Sequence, residues 1–344
     1  MNKSLRETKK ILLWLKRLEK RKMAAIFVIA ITAISFTGLN TVFASLSRSY
    51  ILDIPTFTDE QPKSPDDRYL DIEWLWLCGE LTSDHGKIQF IVSLANYGCF
   101  FSVRYSGATY KWFFDISKVS LNNGVLTIGG ATYPRIVFNL NNPHTWNISI
   151  NQNESFNITQ IYRGVPLWYG KTTLQSDMLP LDASSWVGGF DALSNITATY
   201  HNSQTRKTIN FSGYGVYEHA WVIGSPGESI WLPFWSNEWW GIVVFTFNTQ
   251  NGQVYLQTGR LCNSQNVYRL DDFVLAQGSL RGNYTSIDGL TVEGELVLTF
   301  KKSFVFNGYI IGKFTGIVGL TSFDGAGWIW AVINSPPNFL HKRA

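Results

Sequence analysis

The sequence predicts an all-β body of about 290 residues, large enough for two domains, behind a single N-terminal apolar segment. From residue 72 onward, short segments rich in β-branched and aromatic residues, such as KIQFIVSLANY and KTINFSGYG, alternate with turns rich in Gly, Asn, Asp and Pro. No segment of the body keeps a helical period for three turns. Turns spaced about 8 to 12 residues apart are typical of β-barrels and β-sandwiches.

Residues 1–22 form a basic leader that we predict to stay in the cytoplasm. The leader contains nine Lys or Arg residues and two Glu residues, a net charge of +7, whereas the whole chain carries +4. Residues 23–344 therefore hold 20 basic and 23 acidic residues, a net charge of −3. The sequence pI of 8.8 thus reflects the leader, and the body has no basic excess that would indicate a nucleic-acid partner.

The segment 23–47 contains no charged residue and is predicted to enter a membrane. As a helix it is long enough to cross about 30 Å of hydrocarbon. The basic flank on its N-terminal side predicts that the N-terminus stays inside and that the body lies outside. Three interpretations remain open: a retained single-pass anchor, a signal peptide cleaved near Val42-Phe43-Ala44, and a buried helix of a soluble protein. The first two place an extracytoplasmic body on the cell membrane or in the medium.

The body is predicted to consist of a linker and two β domains. Residues 48–65 are polar and contain three prolines, as expected of a linker that separates the body from the membrane. Residues 66–180 and 181–338 are the two predicted domains, and the turn-rich stretch QSDMLPLDASS lies around the boundary between them.

A repeated pattern supports two related domains. EWLW, beginning at Glu73, and EWW, beginning at Glu238, start strands that lie 165 residues apart. Each is followed by a glycine-closed hairpin and a second alternating strand, as two tandem β domains would produce. A chance match of common strand motifs is the alternative.

The cysteines and histidines give no indication of a metal site. The five histidines are scattered without ligand spacing, and the three cysteines form no CxxC motif. Cys78, Cys99 and Cys262 cannot all pair within one chain. A disulfide between Cys78 and Cys99 and three buried free thiols both remain open.

Glycosylation signals are moderately frequent in the body. Such sequons, Asn-x-Ser/Thr, favour a glycosylated surface protein only modestly, because an Asn-rich chain contains some by chance. They lie at Asn147, Asn153, Asn157, Asn195, Asn210 and Asn283.

The motif most able to carry chemistry is GYGVYEHAW, residues 213–221. Its two glycines allow a turn or a close approach to a neighbouring strand. Because adjacent strand residues point to opposite faces, Glu218 and His219 enter one cavity together only if a bulge intervenes. A carboxyl group in an apolar cavity tends to stay protonated, which would fit Glu218 to act as a general acid while His219 orients its surroundings. The alternative is a buried hydrogen-bonded tie without turnover.

Two stretches resemble the tandem-lipocalin family that includes carotenoid 1,2-hydratase (hydroxyneurosporene synthase) and the AttH-like proteins. DIEWLWLCGELTSDHG is similar to the N-terminal signature of that family, and GYGVYEHAW is similar to its second signature. His219 and Trp221 match that second signature, while Glu218 stands where the family has Asp. The chain departs from the commonest residues of the family at Val216, Tyr217 and Ala220. The resemblance implies two lipocalin-like β-barrels in tandem and a cleft between them for an apolar, isoprenoid-like ligand.

The residues and the resemblance together predict a protein that binds an apolar small molecule or lipid between two barrels and contacts the membrane through its N-terminal segment. The alternatives are a lipid hydratase, isomerase or cyclase that uses Glu218 as a general acid, and a glycan-binding or envelope structural protein. No cofactor, metal or nucleic acid is expected. The predicted catalytic residues are Glu218 and His219. The predicted ligand-binding residues are aromatic: Tyr217, Trp221, Trp239, Trp240, Trp74 and Trp76.

Overall fold

The computed structural model describes residues 60–62, 72–95, 98–141, 143–168, 186–223, 228–247, 254–276, 279–287 and 289–332. These residues belong to one compact unit, residues 49–344. The predicted leader and the predicted membrane segment lie outside the described residues. Within the described ranges, no helix is both long and apolar enough to cross a lipid bilayer. The elements there are β-strands, which confirms the all-β body.

Twelve strands form a curled antiparallel sheet, hereafter the first sheet. Eleven of them follow the order β4-β3-β2-β1-β12-β11-β9-β8-β7-β6-β5, and β10 pairs with β11. The strands are β1 (Ile72–Ser83), β2 (Gly86–Ala95), β3 (Gly98–Tyr105), β4 (Ala108–Phe114), β5 (Val119–Asn122), β6 (Val125–Ile128), β7 (Arg135–Asn139), β8 (His144–Ser149), β9 (Glu154–Tyr162), β10 (Leu167–Trp168), β11 (Trp186–Asn202) and β12 (Lys207–Ile223).

Eight further strands close into a β-barrel in which each strand pairs with the next and the last pairs with the first. Such closure leaves no unpaired sheet edge. The strands are β13 (Glu228–Trp235), β14 (Trp240–Phe247), β15 (Val254–Cys262), β16 (Val267–Ala276), β17 (Ser279–Thr285), β18 (Val292–Phe306), β19 (Tyr309–Val318) and β20 (Thr321–Val332).

The sequence pattern explains which faces of the strands are buried. β17 alternates buried and exposed residues, because one side chain in two points into the barrel. β2 is different, since every residue from Ile88 to Ala95 is buried. Phe90 belongs to the interior cluster of the first sheet, whereas Ile91 belongs to the cluster shared with the barrel. A strand that is buried along most of its length therefore marks a place where both faces of the sheet are covered.

Two-residue turns fix the register of several hairpins. Asn123-Gly124 connects β5 to β6, and Asn307-Gly308 connects β18 to β19, with all four residues at positive φ. Asn and Gly tolerate this left-handed backbone, and such turns match the twist of the strands they join.

The first sheet extends about one hairpin beyond residue 181, where the second domain was predicted to begin. β11 and β12 lie after residue 181, yet β12 pairs with β1 and β11 pairs with β9 in the first sheet. The first sheet therefore continues to Ile223, and the barrel begins at Glu228. The stretch QSDMLPLDASS precedes β11, so it is a connection within the chain of the first sheet. A turn-rich stretch alone does not distinguish a connection between two strands of one sheet from a domain boundary.

The repeated acid and tryptophan pattern also starts at different places in the two sheets. Glu73 lies in β1, the first strand of its sheet in chain order, whereas Trp240 begins β14, the second strand of the barrel. Trp239 lies before β14, and its side chain belongs to the cluster inside the barrel. The pattern thus marks a strand and a hairpin in each sheet without marking equivalent strands.

Three apolar clusters hold the body together. One fills the interior of the first sheet and includes Phe90, Phe101 and Trp146. A second fills the inside of the barrel. The third, hereafter the interface cluster, joins the outer face of the first sheet to the outer face of the barrel. Its described members are mainly aromatic and aliphatic: Cys78, Ile91, Leu167, Leu193, Val216, Ala220, Trp231, Trp235, Trp240, Ile242, Val244, Cys262, Phe306, Tyr309, Ile311 and Trp328.

Candidate functional site

β12 presents its residues alternately to the interior of the first sheet and to the barrel. Tyr217 belongs to the interior cluster, whereas Val216 and Ala220 belong to the interface cluster. His219 therefore lies on the interior face and Glu218 on the interface face, because no bulge interrupts the pairing of β12 with β1 and β11. The two predicted catalytic residues do not share a cavity.

The glycines of the motif permit a close approach of two strands. A Cβ at Gly213 would lie 2.2 Å from the carbonyl oxygen of Glu80, and one at Gly215 would lie 2.1 Å from that of Cys78. Neither glycine has a positive φ. Of the two roles predicted for these glycines, a turn and a close approach of strands, the structure shows the close approach.

A buried carboxylate closes one end of the interior of the first sheet. The hydroxyl groups of Tyr162 and Tyr217 both donate to the carboxylate of Glu60, and the Tyr217 bond measures 3.1 Å. Nε2 of His144 lies 3.3 Å from the same carboxylate. Glu60 comes from the predicted linker and is only 3% exposed. Part of the linker is therefore anchored inside the body.

A second carboxylate and imidazole pair lies beside the first. Nε2 of His219 is 2.9 Å from Oε1 of Glu73, and both side chains are buried. Burial raises the pKa of Tyr217 well above its ordinary value, and the charge of Glu60, its hydrogen bond and the charge of Glu73 raise it further. Tyr217 therefore stays protonated and donates its hydrogen bond. We call Glu60, Glu73, His144, Tyr162, Tyr217 and His219 the closed-end cluster.

The contacts of the closed-end cluster are those of a structural tie. Each carboxylate has a hydrogen-bonding partner, as burial of a charged group requires. The aromatic rings of Phe138, Phe190 and Trp146 lie against the cluster and keep water away from it. This placement of His219 favours the buried hydrogen-bonded tie over a catalytic role.

A cavity of about 410 Å³ opens at the opposite end of the same interior. We call it the open-end pocket. Its floor contains a chain of aromatic rings, since Phe156 lies 5.2 Å from Phe101 and 5.0 Å from Tyr200. The pocket is lined mainly by apolar and aromatic side chains: Ile88, Val103, Tyr105, Tyr110, Trp112, Ile150, Glu154, Phe156, Tyr200, Lys207, Ile209 and Phe211.

Two charged side chains accompany the apolar lining of the open-end pocket. The carboxylate of Glu154 accepts hydrogen bonds from Tyr200 at 2.7 Å, Asn151 at 2.7 Å and Asn202 at 3.1 Å. The hydrogen bonds of Tyr200 and Asn151 lower the pKa of Glu154, so this carboxyl group stays ionised at neutral pH. Lys207 begins β12 and is exposed.

The interface cluster brings together several of the predicted ligand-binding residues. Trp240 is a buried member, and Trp74 and Trp76 are partly buried residues packed against it. Arg163 extends from the end of β9 to the barrel, where its guanidinium donates to the carbonyl groups of Ser236 at 3.1 Å and Asn237 at 2.9 Å. The guanidinium also lies 3.9 Å from the ring centre of Trp240, which makes a cation–π contact.

Asp191 is the functional candidate that sequence reasoning missed. It pairs with Glu218 across β11 and β12, so both carboxyl groups lie on the interface face. Asp191 is fully buried, and neither carboxyl oxygen has a hydrogen-bond partner among the described residues. Burial raises the pKa of Asp191 well above its ordinary value, and the nearby charge of Glu218 raises it further. The indole of Trp231 is close enough to oppose this shift, but its N–H lacks hydrogen-bond geometry.

The predicted residues thus divide among three places. Glu218, Trp74, Trp76 and Trp240 lie on the interface side. Tyr217, His219 and Trp221 lie on the interior side of the first sheet, where the rings of His219 and Trp221 are 5.2 Å apart. Trp239 lies inside the barrel. A signal for Asp191 was present, since GGFDALSN places a lone acid inside an apolar strand. Nothing in the polar segment around Glu60 indicates that its carboxylate is buried.

The cysteines lie on different faces and are not bridged. All three are buried free thiols. Cys99 belongs to the interior cluster, whereas Cys78 belongs to the interface cluster, so the sheet itself separates the two sulfur atoms. Among the described residues, no group of three or more His, Cys, Asp or Glu side chains is arranged to hold a metal ion.

Comparisons with known proteins give only weak likenesses. No family profile matches the chain, and no curated protein sequence matches it. Similar solved structures include kievitone hydratase from Nectria haematococca, with 13% identity over 82% of this chain and 93% of that one and a TM-score of 0.47. They also include CghA with Sch210972, with 11% identity over 81% of this chain and 95% of that one and a TM-score of 0.48. Because the likenesses are weak, the function has to be inferred from the residues of this chain.

Proposed function

We propose that this protein binds an apolar small molecule or lipid, and that residues 23–47 hold its body on the outer side of a membrane or direct its secretion. The observation that carries the proposal is the open-end pocket. Its volume of about 410 Å³ lies within the range of pockets that bind small molecules. Its lining is largely aliphatic and aromatic, with a few polar groups that would fix the orientation of a ligand.

The proposed ligand has an apolar skeleton and a polar end. Ile88, Val103 and Phe211 offer apolar surface, and burial of a ligand against such side chains contributes about 25 cal/mol per Å². Glu154 and Lys207 would meet the polar end. This arrangement is that of a lipocalin-like barrel, in which the ligand enters one end. We therefore propose that the first sheet is an opened relative of such a barrel, with its edges at β4 and β5.

We propose that the ligand binds inside the first sheet and not between the two barrels, where the sequence had led us to expect it. The interface cluster fills most of the face shared with the barrel, where Trp231, Trp235 and Trp328 are buried, whereas Glu218 on the same face is partly exposed. The open-end pocket, in contrast, is a cavity of about 410 Å³.

Native mass spectrometry of the full chain, followed by extraction of bound lipids, tests the binding function. Binding of the neutral probe N-phenyl-1-naphthylamine then locates the site. Ile209→Trp fills the pocket and is expected to weaken probe binding at least about tenfold, equivalent to about 1.4 kcal/mol. Val305→Trp, at an exposed position on the barrel, is the control and should leave binding unchanged. Equal binding by wild type and Ile209→Trp would rule out the open-end pocket.

We also propose a second function, acid catalysis on an unsaturated lipid, which Asp191 specifically favours. A carboxyl group that stays protonated in apolar surroundings is a source of protons for a carbon–carbon double bond. Glu218 faces Asp191 and is partly exposed, so it is the member of the pair that a substrate would reach first. In a hydration, the carboxyl proton would bond to one carbon of the double bond, the oxygen of water would bond to the other carbon, and a proton from that water would return to the carboxylate.

Glu218→Gln and Asp191→Asn test this second function. The chain is incubated with the lipids that it retains, and products that have gained one water are measured by mass spectrometry. An enzyme should lose about 10² to 10⁴-fold in rate when its general acid is removed, while keeping its ligand. Glu293→Gln, an exposed change on the barrel, should have no effect. Absence of any product from the wild-type chain, or full activity of both variants, would leave the binding function only.

A further inference from the structure

The asparagine sequons take no part in either proposed function, yet most of them lie close together in the first sheet. Five of the six lie between β8 and β12 in the first sheet, and the sixth, Asn283, lies on the barrel strand β17. Their positions in the sequence do not show which face of the sheet they occupy. The strand register does.

Four of these asparagines lie on one exposed face. Asn147 pairs with Asn157, Asn157 pairs with Thr199, and Thr199 pairs with Asn210, so the four residues form one row across β8, β9, β11 and β12. Asn195 precedes Thr199 by four residues on β11 and therefore points to the same side. All four asparagines are exposed. The interior cluster lies on the opposite side, where Trp146, Ile158 and Ile196 point.

We propose that this face of the first sheet is an acceptor surface for N-linked glycans. The inference rests on the proposed extracytoplasmic position of the body. In the modification, the side-chain nitrogen of Asn forms a bond to the anomeric carbon of an oligosaccharide carried on a polyprenyl diphosphate. The bond between that carbon and the diphosphate oxygen breaks, the polyprenyl diphosphate leaves, and the amide nitrogen loses one proton.

Strand geometry places both parts of each acceptor signal on this surface. Residues two apart on a strand point the same way, so the Ser or Thr of each sequon lies beside its Asn. Thr197 and Ser212 are exposed, and Thr159 is partly exposed. At residues 145–149, 155–159, 195–201 and 208–212 this face carries mainly hydroxyl and amide groups, with His201 as the one imidazole and no carboxylate or Lys. Asp191 and Glu218 lie farther along the same face, where the barrel packs. Glycans would keep such an uncharged face solvated.

The structure also ranks the acceptors. Asn210 accepts a hydrogen bond from the Thr199 hydroxyl through its oxygen Oδ1 at 3.0 Å, a bond that does not use the nitrogen Nδ2. Asn153 lies in the turn before β9, is partly buried, and accepts the Ser203 hydroxyl at 3.1 Å and the Ser203 backbone N–H at 2.8 Å. Because Asn153 is partly buried, whereas Asn210 is exposed, we expect Asn153 to stay unmodified.

Crowding limits the row itself. Asn147 and Asn157 are direct partners on neighbouring strands, and the Cβ atoms of such pairs lie only about 5 Å apart. Two branched glycans do not fit side by side at that spacing. We expect at most one glycan on this pair in any one molecule, together with glycans at Asn195 and Asn210.

The test uses the full chain purified from its own cells. Peptide mass spectrometry should show Asn195, Asn210 and one of the Asn147 and Asn157 pair heavier by whole sugar units, and Asn153 at its unmodified mass. Thr159→Ala removes the Asn157 sequon without touching Asn157, and Thr159→Ser preserves it. In the Ala variant the glycan of this pair should be found at Asn147 alone, whereas the Ser variant should match the wild type.

Protease treatment of intact cells distinguishes failure of the glycan proposal from failure of the proposed extracytoplasmic position. If the body is digested or shed and these asparagines are nevertheless unmodified, the glycan proposal is refuted while the extracytoplasmic position stands. If the body is fully protected, the position is refuted and the glycan proposal with it. Modification at Asn153 with none at Asn195 or Asn210 would refute the assignment of this face.

Discussion

Replacing Asp191 by Asn is expected to stabilise the body at neutral pH and to have no effect in acid. Asp191 is fully buried beside Glu218, and its pKa is raised from the ordinary value of 3.8. Below about pH 4 the carboxyl group is protonated in both the folded and the unfolded chain. As the pH rises, the unfolded chain releases this proton and the folded chain retains it, so the free energy of unfolding falls. Asn has no proton to release and avoids this loss.

The size of the effect follows from the linkage relation. While the folded carboxyl group stays protonated, the free energy of unfolding falls by about 1.4 kcal/mol for each pH unit above the unfolded pKa. Between pH 3.8 and pH 7 the loss reaches at most about 4 kcal/mol. Asp191→Asn should therefore match the wild type near pH 4 and exceed its stability by up to about 4 kcal/mol at pH 7.

Urea unfolding of the full chain, followed by the fluorescence of its 14 tryptophans at pH 4, 5, 6 and 7, measures this difference. Asp115→Asn is the control, because its effect on stability should depend on pH in the opposite direction. Asp115 is exposed, and hydrogen bonds from the Ser117 hydroxyl and backbone N–H lower its pKa. Its ionised carboxylate therefore stabilises the folded chain above the unfolded pKa, and this stabilisation is lost as the pH falls. Asp115→Asn should therefore be neutral in acid and slightly destabilising at pH 7. Equal pH slopes for the wild type and Asp191→Asn would show that Asp191 is ionised in the folded protein.

Three further changes test the packing of the body. Gly215→Ala places a Cβ 2.1 Å from a carbonyl oxygen of β1 and should lower the free energy of unfolding by about 1–3 kcal/mol, whereas Gly98→Ala, with nothing within 4 Å, should change it by less than about 0.5 kcal/mol. Arg163→Lys loses the paired hydrogen bonds and the stacking on Trp240 and should cost about 1–3 kcal/mol in urea unfolding; an unchanged midpoint would show that these contacts are dispensable. A thiol reagent should detect no cysteine in the folded chain and three in denaturant without reductant, whereas a disulfide would leave one.

The all-β class was predictable because it depends on local properties. Strands of β-branched and aromatic residues, closed by turns such as Asn307-Gly308, are set by neighbours in the sequence. The end of the first sheet was not predictable, because it depends on β12 returning to pair with β1, which lies about 140 residues earlier in the chain. Nothing local in β11 or β12 distinguishes that pairing from pairing within the barrel.

The candidate sites show the same division between local and distant information. Alternation along β12 correctly separates Glu218 from His219, because it requires only the period of a strand. The partners of these two residues, Asp191 and Glu73, come from other strands, and Glu60 comes from outside the strands altogether. A sequence pattern identifies a residue able to do chemistry, whereas the fold decides which group faces it.

The two proposed functions use places that one ligand cannot occupy together. Phe211 in the open-end pocket and Glu218 at the interface lie on the same strand, seven residues apart, a separation of about 23 Å at about 3.3 Å per residue. They also point to opposite faces of the sheet. A ligand in the pocket is therefore out of reach of Asp191 and Glu218, so catalysis there would require a second bound molecule. It follows that Ile209→Trp should weaken pocket binding without changing turnover, and that Glu218→Gln should lower turnover without changing pocket binding. If one change abolished both, a single continuous site would have to connect the two faces, and the separation of functions along β12 would be wrong.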